Sequence, residues 1–316
     1  MIEGIIATTV RQLNLALTLT SGQSFRWKLY DDRWLGVIQN KFVVELIQLD
    51  HHIKYRIIND NVDDHHNRPK GNQHFFDQLI SDYFRLDIDL NDLYYKWSKS
   101  DSNFAKISDK LIGIRIMRQT SEETLLSFMC SQNNNISRID SMIGKMCQKF
   151  GQLLCQSKEY PEIYSMPSMT VLADKSAEST MRSLGFGYRS KFIHLTAKCI
   201  FNESNGCPKQ WFQSLEEMAY EKARQELMRM PGIGAKVADC IALMGLGHLQ
   251  AIPVDTHVYK VAVERYLPHL KTNKTLNHKS YKEIVDFFLT TFGPMAGWAQ
   301  SVLFCSHLKQ FQHLLN

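Results

Sequence analysis

Leu-Met-Arg-Met-Pro-Gly-Ile-Gly-Ala-Lys-Val-Ala-Asp at residues 227–239 is the stretch that decides the fold. It runs from an apolar helical pattern through a Pro-Gly-x-Gly turn into a second helical pattern, which predicts a helix-hairpin-helix at about 216–244. Gly232 and Gly234 permit a tight turn and let a ligand approach the backbone closely. Backbone N–H groups of such a turn can bind a phosphate oxygen without reading any base sequence. A plain corner between two helices is the alternative, but the helices on both sides favour contact with DNA.

Lys236 stands in the first turn of the second predicted helix, where the helix dipole favours the neutral amine that a nucleophile needs. A solvated lysine or a phosphate contact is the alternative. Cys240 follows on the same helical face and either pairs with the lysine as a thiolate or, as the sequence favours, packs as a small apolar residue. Asp255 can cap a helix that begins at Thr256, and it can also stabilise an oxocarbenium-like sugar. His257 contacts a phosphate in one interpretation and is merely structural in the other.

The bulk composition limits the class of protein. A net charge of +5 on 316 residues suits a polyanionic partner without requiring one. The hydrophobic fraction of 44% is that of a globular protein with one large or two ordinary domains. Seven cysteines without a CxxC pair argue for reduced thiols and against a zinc ribbon or a disulfide framework. Because no apolar run has transmembrane length and no secretion signal is recognisable, we expect an intracellular protein without a membrane partner.

The hydrophobic pattern divides the chain into a strand-rich start and a helical remainder. Stretches of alternating apolar and polar positions between about residues 9 and 59 predict a small antiparallel sheet. From Phe75 onward the helical period dominates. We therefore predict an α+β fold, with an N-terminal domain at 1–115 that contains an antiparallel sheet with flanking helices. A mostly α-helical, two-lobed domain at 116–316 follows it and contains the helix-hairpin-helix.

Helix boundaries follow from capping patterns and turn residues. Thr-Ser-Glu-Glu at 120–123 fits a capping box and begins a helix that runs through Met129. Further helices are predicted at roughly 137–150, 178–184, 190–201, 216–230, 235–244, 256–266, 280–292 and 295–310.

Two polar segments, at 59–72 and 268–279, are predicted to be loops. The first contains His65 and His66 beside two aspartates, which could bind a metal. A solvated loop is favoured, because no regular spacing fixes the ligands.

Four more segments accompany the hairpin. They are Ser-Gly-Gln-Ser-Phe-Arg-Trp at 21–27, Ser-Phe-Met-Cys-Ser-Gln-Asn-Asn-Asn-Ile-Ser-Arg-Ile at 127–139, Leu-Gly-Phe-Gly-Tyr-Arg at 184–189 and Gly-Pro-Met-Ala-Gly-Trp-Ala-Gln-Ser-Val-Leu-Phe at 293–304. In content and order the five segments resemble the eukaryotic type of 8-oxoguanine DNA glycosylase/lyase, in the helix-hairpin-helix glycosylase superfamily. The resemblance covers about residues 10 to 310, and it is specific because all five segments occur together.

The resemblance implies a bifunctional DNA N-glycosylase and abasic-site lyase that removes 8-oxoguanine paired with cytosine during base excision repair. Lys236 is then the nucleophile and Schiff-base lysine, and Asp255 the catalytic carboxylate. The carbonyl of Gly22 accepts the N7 hydrogen that guanine lacks, so guanine would set two acceptors against each other. The remaining lesion contacts are a sandwich of the flipped base by Phe304 and Cys240 and a hydrogen bond from Gln300 to its Watson–Crick edge.

The family resemblance also implies a set of contacts to the rest of the duplex. Asn133 fills the emptied stack and Tyr188 wedges the duplex open. Arg138 and Arg189 donate to the orphaned cytosine, while His257, Gly232 and Gly234 hold backbone phosphates. Taken singly, each aromatic could be a core residue, each amide a cap and each arginine an ordinary phosphate contact.

The expected partner is double-stranded DNA carrying 8-oxoguanine opposite cytosine, bound by a monomer without cofactor or metal. The chain lacks the four-cysteine iron–sulfur cluster of endonuclease III-like relatives. The family suggests the nucleus, with the mitochondrion as a further location. Two rival hypotheses stay open: a monofunctional relative for alkylated purines or for adenine opposite 8-oxoguanine, and a non-catalytic DNA-binding protein. Neither needs Lys236.

Overall fold

The computed structural model describes residues 2–58, 72–156, 158–272 and 276–315. The predicted loop at 59–72 lies outside these residues except for Asn72, and so do the two histidines that were weighed as metal ligands. The α+β fold class is confirmed, because a five-stranded antiparallel sheet precedes a mostly helical body. The division of the chain at 115/116 stays a prediction.

The sheet is built from neighbouring antiparallel strands in the order β1-β5-β4-β3-β2. The strands are β1 (Ile2–Ala7), β2 (Lys28–Tyr30), β3 (Arg33–Ile38), β4 (Phe42–Gln48) and β5 (His52–Ile57), and a two-stranded hairpin of β6 (Leu153–Cys155) and β7 (Ile163–Tyr164) lies apart from them in the chain.

Alternation along the strands places two apolar surfaces on the sheet. In β4, Val44 and Leu46 pack on the side covered by helix 73–83, whereas Val43 packs on the opposite side with Tyr160 near the β6–β7 hairpin. Both faces of the sheet are therefore covered, one by a helix and one by the hairpin.

The helical body surrounds one large core. Its helices and those of the N-terminal region are α1 (Leu15–Thr20), α2 (Gln73–Tyr83), α3 (Leu90–Ser100), α4 (Ser102–Ser108), α5 (Ser121–Ser131), α6 (Ile136–Phe150), α7 (Met169–Leu172), α8 (Ala177–Ser183), α9 (Arg189–Glu203), α10 (Pro208–Glu216), α11 (Tyr220–Arg229), α12 (Ala235–Met244), α13 (Thr256–Arg265), α14 (His278–Phe292), α15 (Ala296–Cys305) and α16 (Gln312–Leu315). Helix α5 is buried along nearly its whole length and packs against α6, α9 and α12, so it forms the centre of this body.

Several predicted boundaries are wrong. The sheet begins at β1, before residue 9, and the predicted strand region contains the helix α1. The helix predicted at 216–230 is α11 and begins only at Tyr220, because the backbone of Ala219 is extended (ψ 149°), and the preceding helix α10, which ends at Glu216, was not predicted. The predicted loop at 268–279 contains a 3-10 turn at Pro268–Thr272 and the start of α14.

The capping-box prediction at 120–123 is correct for Thr120 and wrong for Glu123. The actual partner of Glu123 shows how the sheet and the helices are joined. Thr120 accepts a hydrogen bond from the backbone N–H of Glu123 (3.3 Å) and so caps α5. Glu123 itself pairs with Arg26, whose Nη1 lies 3.2 Å from its carboxylate oxygen, and both side chains are 5% exposed. Arg26 also donates to the carbonyl of Tyr164 (2.6 Å). This buried pair therefore joins the N-terminal region, α5 and the β6–β7 hairpin.

Replacing Glu123 with Gln should lower the free energy of unfolding by about 3 kcal/mol, because it leaves a buried guanidinium without its counter-charge. The measurement is urea unfolding followed by circular dichroism. The matched control is Glu178→Gln, which makes the same change in the exposed pair with Arg182 and should cost less than about 1 kcal/mol. Equal losses in the two variants would contradict a structural role for the buried pair.

Candidate active site

One pocket brings together residues from the two ends of the chain and from its middle. It is lined by six of the residues predicted from the sequence: Gly22, Lys236, Cys240, Asp255, Gln300 and Phe304. Its empty volume, including the open mouth, is about 510 Å³. Residues that the sequence reasoning missed complete the wall, among them Phe128, Met244, Pro253 and Val258.

Gly22 lies in a loop whose conformation suits glycine. Its φ of +82° is in the left-handed region, and a side chain at this position would point into open space. The next residue, Gln23, is buried and fixes the loop. Its Nε2 donates to the carbonyl of Arg115 (2.7 Å), and its Oε1 accepts from the N–H of Met117 (2.8 Å). The backbone of Gly22 is therefore held at the pocket wall with unobstructed space beside it.

Lys236 is half-buried in the first turn of α12 and lines the pocket. Its Nζ lies 5.2 Å from the centroid of the Phe128 ring, a cation–π distance. Burial raises the pKa of the Cys240 thiol to about 11, against the opposing effect of the neighbouring Lys236 ammonium. Cys240 is thus a neutral thiol near pH 7, which agrees with the packing interpretation rather than with a thiolate partner for the lysine.

Asp255 caps α13, as its position in the sequence predicted. One carboxylate oxygen, Oδ1, accepts from the backbone N–H groups of His257 and Val258, each at 2.9 Å. These two bonds fix the carboxylate in the wall of the pocket that also contains Lys236. His257 is exposed in the same first turn, beside the pocket.

Helix α15 forms a further part of the pocket wall. Gln300 is buried and Phe304 is partly exposed, and both line the pocket. The Phe304 ring meets the His257 ring edge-on, with centroids 6.5 Å apart. Trp298 Nε1 donates to the carbonyl of Ile114 (2.8 Å), which holds α15 against the segment leading into α5. An amide and an aromatic ring therefore line the same cavity as the lysine.

The hairpin between α11 and α12 is anchored on one side and open on the other. Thr196 Oγ1 donates to the carbonyl of Pro231 (2.7 Å), and Gln132 Nε2 donates to the carbonyl of Gly232 (2.8 Å). Gly232 has a φ of +80°, and a Cβ there would approach Phe192 to 2.6 Å. Gly234, which precedes α12, is exposed and would direct a Cβ into open space. The open side is free for a phosphate.

A second group of predicted residues surrounds the turn after α5. Asn133 is exposed there with a φ of +45°. Arg189 is buried and donates from Nη2 to the carbonyls of Gln132 and Asn133, the latter at 3.1 Å. Its guanidinium lies 4.7 Å from the centroid of the Tyr188 ring, which is 47% exposed. Arg138 is exposed and donates to the carbonyl of Gly185 (3.5 Å). Sequence reasoning placed these residues together, but it did not foresee that Arg189 would be engaged by the protein's own backbone.

Among the described residues, no group of three or more His, Cys, Asp or Glu side chains could hold a metal ion. Within the same ranges, no helix combines the length and the apolar character that crossing a membrane requires.

Family models and known proteins match most of the chain. The family model described as 8-oxoguanine DNA glycosylase, N-terminal domain, matches residues 5–125, and the model described as HhH-GPD superfamily base excision DNA repair protein matches residues 126–284. The N-glycosylase/DNA lyase of Saccharomyces cerevisiae is 34% identical over 337 residues, which cover 96% of this chain and 86% of the relative. That of Arabidopsis thaliana is 33% identical, covering 97% and 80%.

Solved structures give the same result. The apo form of the 8-oxoguanine glycosylase/lyase of Clostridium acetobutylicum superposes with a TM-score of 0.79 at 27% identity, covering 96% of both chains. The same protein in complex with double-stranded DNA containing cytosine opposite to 8-oxoG superposes with a TM-score of 0.77, covering 93% and 91%. On these matches and on the pocket that joins Lys236 to Asp255, the chain belongs to the 8-oxoguanine DNA glycosylase/lyase family of the HhH-GPD base excision DNA repair proteins.

Proposed function

We propose that the chain excises 8-oxoguanine paired with cytosine from duplex DNA and then cleaves the strand at the resulting abasic site. The observation that carries this proposal is that Lys236 and Asp255 line the same pocket as Gly22. An amine, a carboxylate and a backbone carbonyl are the groups that base displacement and lesion recognition need.

Base recognition rests on the loop at Gly22 and on α15. The flipped base lies between Phe304 and Cys240, whose neutral thiol presents an apolar surface to the ring. The Gly22 carbonyl accepts the N7 hydrogen of 8-oxoguanine, and Gln300 bonds its Watson–Crick edge. Guanine has no N7 hydrogen, so its N7 and the carbonyl would be two unpaired acceptors in a closed site, which disfavours binding.

Lys236 carries out the chemistry in its neutral form. Its Nζ forms a bond to C1′ as the bond from C1′ to the base breaks, and the base leaves with the electron pair and takes up a proton. Asp255 stabilises the positive charge that develops on the sugar. Opening of the sugar ring gives an imine between Lys236 and C1′. Loss of a proton from C2′ then expels the 3′ phosphate, and hydrolysis of the imine frees the lysine.

The remaining contacts hold the duplex around the extruded base. Asn133 enters the emptied position, Tyr188 separates the neighbouring bases, and the hairpin with His257 binds backbone phosphates. Arg138 and Arg189 donate to the orphaned cytosine. Arg189 does so by exchanging a bond to the carbonyls of the turn after α5 for the acceptors of the base.

We further propose that the enzyme acts as a monomer. A single chain supplies both Lys236 and Asp255, and the two residues line one pocket. A second copy is therefore not needed to complete the site.

Replacing Lys236 with Gln should abolish both base release and covalent trapping, because an amide is not nucleophilic and forms no imine. The measurement is borohydride trapping on a duplex with one 8-oxoguanine opposite cytosine, together with lesion binding by fluorescence anisotropy, which should be retained. Lys96→Gln removes the same charge from a helix outside the pocket and should trap normally. Turnover by the Lys236 variant would refute the proposed nucleophile.

Replacing Asp255 with Asn should slow base release by about 100-fold or more, because the charge that stabilises the sugar is lost. Asparagine caps helices as well as aspartate does, so thermal stability should change little. Single-turnover kinetics and thermal unfolding separate the two effects. Asp89→Asn alters another helix cap, that of α3, and should leave the rate unchanged. An unaltered rate in the Asp255 variant would leave that residue with its capping role alone.

Gly234→Ala should mainly weaken DNA binding, whereas Gly232→Ala should mainly lower the stability of the fold. Alanine at 234 fits the free protein, so the free energy of unfolding should change by less than about 1 kcal/mol. It blocks the approach of a phosphate, so the affinity for undamaged duplex should fall about tenfold. Alanine at 232 would have to adopt a left-handed backbone conformation and would clash with Phe192. The free energy of unfolding should therefore fall by about 2 kcal/mol or more. Anisotropy and urea unfolding measure the two quantities. Unchanged affinity in the Gly234 variant would exclude the hairpin as a phosphate site.

A further inference from the structure

Helix α12 carries a second functional group that is not part of the lining of the base pocket. Asp239 follows Lys236 by less than one helical turn and is fully buried. Its Oδ1 accepts from Arg224 Nε and from Tyr220 Oη, each at 2.7 Å. Its Oδ2 accepts from the hydroxyl of Tyr281, on α14. All the donors to this carboxylate come from other helices, so it fixes α12 relative to α11 and α14.

The Tyr281 hydroxyl has further partners in the chain segment that leads to the catalytic carboxylate. It accepts a hydrogen bond from the backbone N–H of Val254 (3.2 Å) and lies 3.3 Å from the carbonyl oxygen of Ile252. Val254 is the residue immediately before Asp255. One hydroxyl group therefore contacts the helix that carries Lys236 and the segment that carries Asp255.

We propose that Tyr281, together with Asp239, is a positioning element that sets the separation of the Lys236 amine and the Asp255 carboxylate. The inference rests on the proposed function and deepens it. Neither residue lines the pocket that receives the base, so neither touches the reacting atoms. Tyr281 acts through the two backbone elements that it joins.

The same elements also pack in the apolar core, where Ile252 and Val254 are fully buried and Tyr281 is 9% exposed. A cavity nonetheless borders the network, lined by Lys236, Val254 and Tyr281 as well as by Tyr220 and Arg224. Apolar contacts are non-directional, whereas a hydrogen bond is favourable only over a narrow range of distances and angles. The Asp239–Tyr281 bridge therefore adds a directional link between α12 and residues 252–254.

The alternative is that the network contributes only stability. Burying a charged pair such as Asp239 and Arg224 costs desolvation energy, and an apolar cluster of similar volume often stabilises a fold as well or better. Stability alone therefore does not account for a buried carboxylate beside the nucleophile. A role in geometry predicts a loss of rate at constant affinity, whereas a role in stability does not.

The test is Tyr281→Phe, which removes the bridging hydroxyl and keeps the ring. Single-turnover base release from an 8-oxoguanine:cytosine duplex should slow about tenfold or more, since small displacements of reacting groups have effects of this size. Borohydride trapping on a duplex with a preformed abasic site should slow in parallel, because it needs the positioned amine but no lesion recognition. The dissociation constant for the lesion duplex should stay within about twofold of the wild type, because the base pocket is intact.

Tyr94→Phe is the matched control. Tyr94 is as buried as Tyr281, at 9% exposure, and its hydroxyl donates to the carbonyl of Leu111 (2.8 Å) in α3's part of the core. The two variants should lose similar thermal stability, and only Tyr281→Phe should lose rate.

Three results would overturn the inference. The first is a wild-type rate in Tyr281→Phe. The second is a fall in rate that Tyr94→Phe reproduces, which would make the effect one of general stability. The third is a fall that is matched by weaker lesion binding. A wild-type protein that neither releases the base nor traps on the abasic duplex would instead refute the proposed function, and the positioning role would fall with it.

Discussion

The side chain of Gln23 joins the loop at Gly22 to the segment that leads into α5, at the point where the pocket is formed. The side-chain amide hydrogen-bonds to the backbone of Arg115 and Met117, and the backbone carbonyl of Gln23 accepts from Gln119 Nε2 at 2.7 Å. The residue before it is Gly22, so the same bonds that attach the N-terminal region to the segment entering α5 also place the Gly22 backbone at the pocket. A shift of the N-terminal region against this segment would therefore move the Gly22 carbonyl, which we propose distinguishes the lesion from guanine.

This junction contains buried polar groups, and nearly all of their hydrogen-bonding atoms have partners. The Arg115 side chain is 1% exposed, and burial lowers its pKa to about 10. Its guanidinium donates to the carbonyls of Gln12, Arg85 and Ile88, so the charge is solvated by backbone oxygens instead of water. Apolar packing tolerates sliding between surfaces, but a guanidinium that is satisfied in one arrangement only does not. The cost of burying the charge is offset by a defined orientation of the parts that build the site.

Sequence and structure agree where the determining signals are local. Lys236 and Asp255 were found from a hairpin pattern and a helix cap, each contained in a few residues, and the structure places both in one pocket. The strand β1 was missed because its partner is β5, far along the chain, and no turn connects them. Tyr281 carried no signal at all, since its bond to Asp239 spans 42 positions in the sequence. Long-range polar contacts depend on the folded path of the chain, which a periodic pattern does not encode.

Helix α12 shows why such long-range contacts matter for the chemistry. Lys236 and Cys240 line the base pocket, whereas Asp239 between them bonds to side chains of α11 and α14. Cys240, the neighbour of Asp239 that lines the pocket, is a neutral thiol. The negative charge of Asp239 is compensated by Arg224 within the anchoring network. Exchanging Asp239 and Cys240 would place a carboxylate in the pocket that we propose receives the base, and would leave α12 without an anchor. The order Lys-x-x-Asp-Cys therefore combines reactivity with rigidity in little more than one turn.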